Sequence, residues 1–154
     1  MALQTHTTAP TFSLPDQDGN LRSLDELLEN GPLVLFFYPK DHSPGCTKEV
    51  CSFRDHYQEL RNDGVSVAGV SRDDAKDHRS FRQKHDLPYP LLTDRDGSVH
   101  RAYDVAGILG LLSRRVTYLV GTDHKIWMAH EDNFRMQSHV RSVLKHLERS
   151  RQSR

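Results

Sequence analysis

Apolar and polar positions alternate along this chain in blocks that each specify one element. "TFSLPDQDGNLRSL" (11–24) reads as two short strands around the Asp18-Gly19-Asn20 turn, with Phe12 and Leu14 on one face. Ser23, with Glu26 three residues later, makes a capping box for a short helix that Gly31-Pro32 ends. Leu33–Phe37 is an unbroken apolar run between prolines, the pattern of a buried strand. Pro39–Gly45 reads as a loop, and from Cys46 onward Val50, Phe53, Tyr57 and Leu60 recur at helical spacing until Gly64 stops the helix.

"VSVAGV" (65–70) predicts a second buried strand, "DDAKDHRSFRQKHDL" a polar helix with an Asp cap, and "PYPLLTD" a third strand. "GSVHRAYDV" predicts a short helix. "RRVTYLVG" (114–121) and "KIWMAH" (125–130) form a hairpin around Thr122-Asp123-His124. A closing amphipathic helix turns Met136, Val140, Val143, Leu144 and Leu147 inward. Strands alternating with helices predict an α/β fold, a central sheet with helices on both faces. The final hairpin makes that sheet mixed.

The 154 residues are expected to form one domain, 1–154, with 1–8 and 150–154 frayed. A chain of this size buries roughly 70% of its unfolded surface in one core. The 21 basic and 21 acidic residues cancel, so no global field favours nucleic acid or a membrane surface. No apolar run approaches the ~20 residues of a membrane span, and "MALQTHTTAP" lacks the basic-then-apolar order of an export signal. A cytoplasmic setting with reduced thiols is therefore expected.

That setting gives weight to the only two cysteines, Cys46 and Cys51. Cys46 follows a strand and a Pro-Gly turn and opens a helix, where unpaired amides and the helix dipole favour an anion. The thiolate is the nucleophilic form of cysteine, and helix starts next to cations promote it. Ser43 can bring a hydroxyl to the same pocket, and Pro39 and Pro44 stiffen the loop. The alternative is a buried structural cysteine. In an intact helix, positions i and i+5 lie roughly 8–9 Å apart at Cα and point ~140° apart. A disulfide needs about 7 Å or less, so a Cys46–Cys51 bond requires the helix start to unwind. The pair suits a bond that forms and is reduced again; the alternative makes Cys51 a small buried apolar residue.

"FFYPKDHSPGCTKEVCSFRD" (36–55) resembles the active-site segment of the peroxiredoxins, specifically the peroxiredoxin Q or bacterioferritin comigratory protein subfamily. The likeness runs from "APTF" through "GVSRD", "LPYPLLTDRDG" and "RRVTYLV" to the last helix, and Pro39, Ser43 and Cys46 fit its Pro-x-x-x-Ser/Thr-x-x-Cys pattern. The resemblance implies a thioredoxin-like fold and an atypical two-cysteine, thioredoxin-dependent thiol peroxidase that needs no cofactor or metal. Cys46 would be the peroxidatic thiol and Cys51 the resolving thiol, and Arg115 would face the thiolate. Glu49 would orient that arginine, with Gly45 and Thr47 supporting the turn. A peroxide substrate and a thioredoxin- or glutaredoxin-type reductant follow from the same resemblance, with a monomer or weak homodimer as the expected state. Ser43 stands where threonine is more usual, and Gly121 where an acidic residue is frequent.

Other functions use the same residues less well. A dithiol–disulfide oxidoreductase would want Cys-x-x-Cys, which is absent. The ten histidines show no zinc-like spacing; His78/His85 and His139/His146 read as polar helix positions. A redox sensor that passes its disulfide to a partner would use the same pair. "GILGLL" (107–112) reads as packing, or as an apolar wall for bulky hydroperoxides, with Leu109 and Leu111 in it.

Overall fold

The computed structural model describes residues 2–107 and 113–152. The described elements are β1 (Ser13–Pro15), β2 (Leu21–Ser23), α1 (Leu24–Leu27), β3 (Leu33–Phe37), α2 (Pro44–Asp55), α3 (Tyr57–Asn62) and β4 (Ser66–Ser71). They continue with α4 (Ala75–Lys84), β5 (Leu91–Thr93), α5 (Ser98–Ala102), β6 (Val116–Val120), β7 (Ile126–Glu131) and α6 (Ser138–Gln152). Five strands form a mixed sheet in the order β5-β4-β3-β6-β7. β3 pairs parallel with β4 and antiparallel with β6, so the most apolar run of the chain lies at its centre.

Period-two alternation in β3 divides the core. Leu33, Leu35 and Phe37 face a layer that includes Leu24 and Leu27 of α1 and Val99 of α5. Val34, Phe36 and Tyr38 face the other layer, with Val50 and Phe53 of α2, Phe81 of α4, and Val140 and Val143 of α6. Phe36 stacks on Phe53 with ring centroids 4.5 Å apart. The helix bearing both cysteines is thereby fixed across the carboxyl end of the central strand.

The structure differs from the sequence expectation at three helix boundaries and in the burial of two histidines. Helix α2 begins at Pro44, not Cys46, because a proline at the first helical position has no N–H to lose. The single helix expected from Cys46 to Gly64 breaks at His56 (φ −105°, ψ 9°), whose ring Nδ1 shares the Ser52 carbonyl with its own backbone N–H. Helix α6 begins at Ser138, leaving Met136 outside it. His78 and His139 are fully buried rather than solvated, since both rings find partners on distant strands and loops.

Candidate active site

Ser43 is the N-cap of α2 in extended backbone, yet its hydroxyl donates to the Lys40 carbonyl at 2.9 Å and makes no cap hydrogen bond. The helical ladder starts with Thr47 N–H donating to the Ser43 carbonyl at 2.9 Å, and the Thr47 hydroxyl donates to the same oxygen at 2.8 Å. Pro44 has no amide hydrogen, and the Gly45 and Cys46 amides precede the ladder, where helix geometry leaves N–H groups without an intrahelical acceptor. Cys46 stands at this turn with 0% exposure. Pro39, half-buried, carries the chain out of β3 into the loop.

The cation comes from the strand paired with β3, far away in sequence. Arg115 lies one residue before β6, and its Nη1 donates to Cys46 Sγ at 3.1 Å and to Glu49 Oε1 at 3.2 Å. Two contacts fix its backbone: Arg115 N–H donates to Asn133 Oδ1 at 2.9 Å, and Asp132 N–H donates to the Arg115 carbonyl. Arg114 turns the other way, to Glu131 Oε1 at 2.8 Å, as strand alternation requires. Gly45 has a steric reason. A Cβ there would stand 2.8 Å from Arg115 Nη2 and 3.3 Å from Met136 Cε.

Glu49 is wholly buried, not the ordinary surface charge that its sequence context alone suggests. Burial pushes its carboxyl up to about 8 against the pull of Arg115. Its Oε2 has no hydrogen-bond partner, and His139 Nδ1 lies 3.6 Å away. That histidine is held neutral. Its Nε2–H donates to the Asp132 carbonyl, so Nδ1 accepts from the Thr117 hydroxyl at 2.8 Å. Burial brings its pKa down to about 4. Thr117, Asn133, Met136 and His139 escaped the sequence reading of the site, because their roles arise only from contacts with residues far away in the chain.

Cys51 lies five positions on, half-buried and free, as Cys46 is free. It faces a groove between α2 and α6 with Lys48, Asp55, Gln137 and Arg141, away from Arg115. Burial raises its pKa, Arg54 opposes that, and Asp55 adds to it. The folded helix thus keeps Cys51 as a thiol and out of reach of Cys46. Of the expected site, the structure brings together Cys46, Arg115, Glu49, Gly45 and Thr47. It leaves the Ser43 hydroxyl on Lys40 and Cys51 on another face. Within the apolar run at 107–112, residues 108–112, with Leu109 and Leu111, lie outside the described residues. Among the described residues no group of three or more His, Cys, Asp or Glu side chains could hold a metal ion.

Comparison with known proteins gives this geometry relatives. The AhpC/TSA family profile matches residues 5–128. Peroxidoxin BcpB from Mycobacterium tuberculosis superposes with a TM-score of 0.90 at 38% identity, covering 95% of this chain and 97% of that one. Bacterioferritin comigratory protein from Xanthomonas campestris, in structures that address its alkyl peroxide reduction, superposes with a TM-score of 0.82 at 30% identity over 90% of this chain and 91% of that one. Chloroplastic peroxiredoxin Q from Suaeda salsa is 38% identical over 140 residues, 90% of this chain. The present chain spans 65% of that relative's length. These likenesses bear out the thioredoxin-like fold expected from the sequence. The chain belongs to the AhpC/TSA family, among its peroxiredoxin Q and bacterioferritin comigratory protein members.

Proposed function

We propose that the protein is a thiol peroxidase that reduces hydrogen peroxide and organic hydroperoxides through Cys46 and Cys51. A thioredoxin- or glutaredoxin-type dithiol returns it to the reduced state. The observation that carries this reading is the 3.1 Å approach of Arg115 Nη1 to the buried Cys46 sulfur. The alkyl peroxide reduction addressed in the Xanthomonas campestris relative supports it.

The chemistry follows from the donors around the sulfur. The Cys46 thiolate attacks the outer peroxide oxygen in line with the O–O bond. A sulfur–oxygen bond forms, and the electron pair of the O–O bond leaves on the inner oxygen, which takes a proton and departs as water or an alcohol. Arg115 and the Gly45 and Cys46 amides stabilise the charge that develops there. Ser43 joins them by rotating its hydroxyl away from Lys40. Glu49 holds the guanidinium from behind. Cys46 is left as a sulfenic acid, the first rung of thiol oxidation. The start of α2 then unwinds, the Cys51 thiol condenses with the sulfenic acid, and water leaves as the disulfide forms. An external dithiol takes up that disulfide by exchange and restores both thiols.

That last step needs a thiol-reducing compartment, and the cytoplasmic setting expected from the sequence meets that need. No described helix is long and apolar enough to cross a membrane. The working unit is a monomer or weak homodimer, which gel filtration of both redox states tests. The decisive experiment is peroxide consumption with a thioredoxin system by wild type, Cys46→Ser and Cys51→Ser. Cys46→Ser should be inactive, because an unactivated hydroxyl cannot replace a thiolate. Cys51→Ser should complete one turnover and accumulate sulfenic, then sulfinic, acid at Cys46. Substantial turnover by Cys46→Ser would overturn the assignment.

A further inference from the structure

The loop from Tyr38 to His42 is held far more firmly than the helix start it feeds. Asp41 is 3% exposed and accepts the Tyr38 hydroxyl on Oδ1 at 2.5 Å. Its Oδ2 lies 2.6 Å from Nδ1 of His78 on α4, which is wholly buried. His78 Nε2 lies 3.2 Å from the Leu92 carbonyl. The carbonyl can only accept, so Nε2 carries a proton. A second proton lies between Nδ1 and the Asp41 carboxyl. The Asp41 backbone N–H donates to Asp73 Oδ2 at 2.8 Å, and the Ser71 hydroxyl donates to the same oxygen at 2.6 Å. His42, at φ 66°, sets its ring 5.0 Å from Phe81 on the same helix.

One residue later this anchoring stops. The Ser43 side chain bonds only within its own loop, Pro44 offers no amide, and the first ladder bond belongs to Thr47. A rigid segment thus abuts a turn that disulfide formation must open.

We propose that His78, acting through Asp41, is a positioning residue that clamps the loop upstream of Cys46 and so sets the balance between the folded pocket and the unwound helix start. This rests on the peroxidase reading above. The folded pocket serves the attack of the Cys46 thiolate on peroxide, and it also serves the attack of the Cys46 sulfenate on a second peroxide, which gives sulfinic acid and releases water or an alcohol. The unwound state serves disulfide formation alone. With the clamp intact, unwinding stops at Ser43, and the loop up to His42 remains as the template on which reduction rebuilds the turn.

The test is the partition of the Cys46 sulfenic acid, read by mass spectrometry as sulfinic acid against disulfide while purified full-length protein is titrated with hydrogen peroxide. His78→Phe keeps a ring of similar size but removes both hydrogen bonds. It should lower the sulfinic-to-disulfide ratio by about tenfold, because without the clamp the unwound state also frees the loop, and re-fixing about one freed residue when the turn reforms costs a factor of that order. The single-turnover rate of sulfenic acid formation should change little, because the folded pocket remains the dominant state of the reduced protein. With His78 in place, Asp41→Asn should keep the ratio near that of wild type, since its amide can donate to a neutral Nδ1 while its oxygen still accepts from Tyr38. A purely structural role would lower thermal stability and leave the ratio unchanged, and that result overturns the proposal. So does an Asp41→Asn ratio as low as that of His78→Phe.

Amide exchange in oxidised wild type gives a measurement that needs no variant. The Asp41 amide should stay protected while amides from about residue 44 to 51 lose protection, and loss of protection at Asp41 would also overturn the clamp. If wild type forms no sulfenic acid with peroxide, the peroxidase reading fails first. If it does and His78→Phe partitions as wild type does, only the clamp fails.

Discussion

Linking Cys46 to Cys51 should make this protein less stable, the reverse of a structural disulfide. The bond requires α2 to unwind from Ser43 through Cys51, which forfeits about five ladder hydrogen bonds worth roughly 3–8 kcal/mol in all. Val50, wholly buried, loses its place against the sheet, a further cost of about 1.5–3 kcal/mol. The 2.6 Å hydrogen bond from the Tyr89 hydroxyl to the Val50 carbonyl and the Arg115–Cys46 contact go with it. Against this, closing a loop of six residues restrains the unfolded chain by only about 2 kcal/mol. The loss therefore exceeds the gain by several kcal/mol, out of a typical total near 5–15 kcal/mol. Each kcal/mol shifts the midpoint of a domain this size by about 2–4 °C, so the oxidised form should melt roughly 10 °C lower. Calorimetry of the two redox states checks the magnitude, and amide exchange checks its location. Exchange should accelerate across α2 up to about residue 53 while β3, β4 and β6 keep their protection. An oxidised form that melts at or above the reduced one, with α2 still protected, would refute the reasoning.

Arg115→Ala should slow peroxide reduction about 100-fold or more, the usual cost of removing a transition-state donor, and Arg115→Lys should recover only part because an ammonium lacks the planar fork; equal rates in stopped-flow assays of wild type and Arg115→Ala would remove the arginine from the mechanism. Gly45→Ala should also slow the first step, because its Cβ enters the space of Arg115 Nη2 and Met136 Cε, while thermal stability changes little; unchanged kinetics would mean that the guanidinium tolerates displacement. Glu49, with its pKa raised from 4.5 to about 8, holds a proton in the folded state that the unfolded chain releases. It therefore favours folding below about pH 4.5 and loses that contribution as pH rises through about 8. Glu49→Gln should flatten the decline in stability across that window, and urea titrations that give both proteins the same pH slope would count against a neutral Glu49.

Much of the fold was legible because the signals that specify it are local. The apolar run Leu33–Phe37 between prolines could only be satisfied in a sheet buried on both sides, and it became the central strand. The Ser23 and Asp74 caps were readable from side chains that bond to amides three residues on. The position of Cys46 at a helix start followed from the order strand, Pro-Gly, helix. Arg115 and Arg114 were separable in principle because a strand sends neighbouring side chains to opposite faces. The family resemblance, not the alternation, chose between them.

The tertiary structure alone decided which polar groups lie inside. His78, His139 and Glu49 share helix faces with Phe81, with Val143 and Leu147, and with Cys46 and Phe53, so spacing points them inward while their residue types argue for solvent. Their burial is tolerable only because the Leu92 carbonyl, Asp41, the Thr117 hydroxyl, the Asp132 carbonyl and Arg115 meet them from other elements. The break at His56 has the same character, since a ring competing for the Ser52 carbonyl outweighs continuous apolar spacing. Local sequence determined where this chain would be strand or helix and where a reactive thiol could stand. Contacts between residues as far apart as Cys46 and Arg115 decided what surrounds that thiol, because the partner that satisfies a buried charge or hydrogen bond is brought near only by folding.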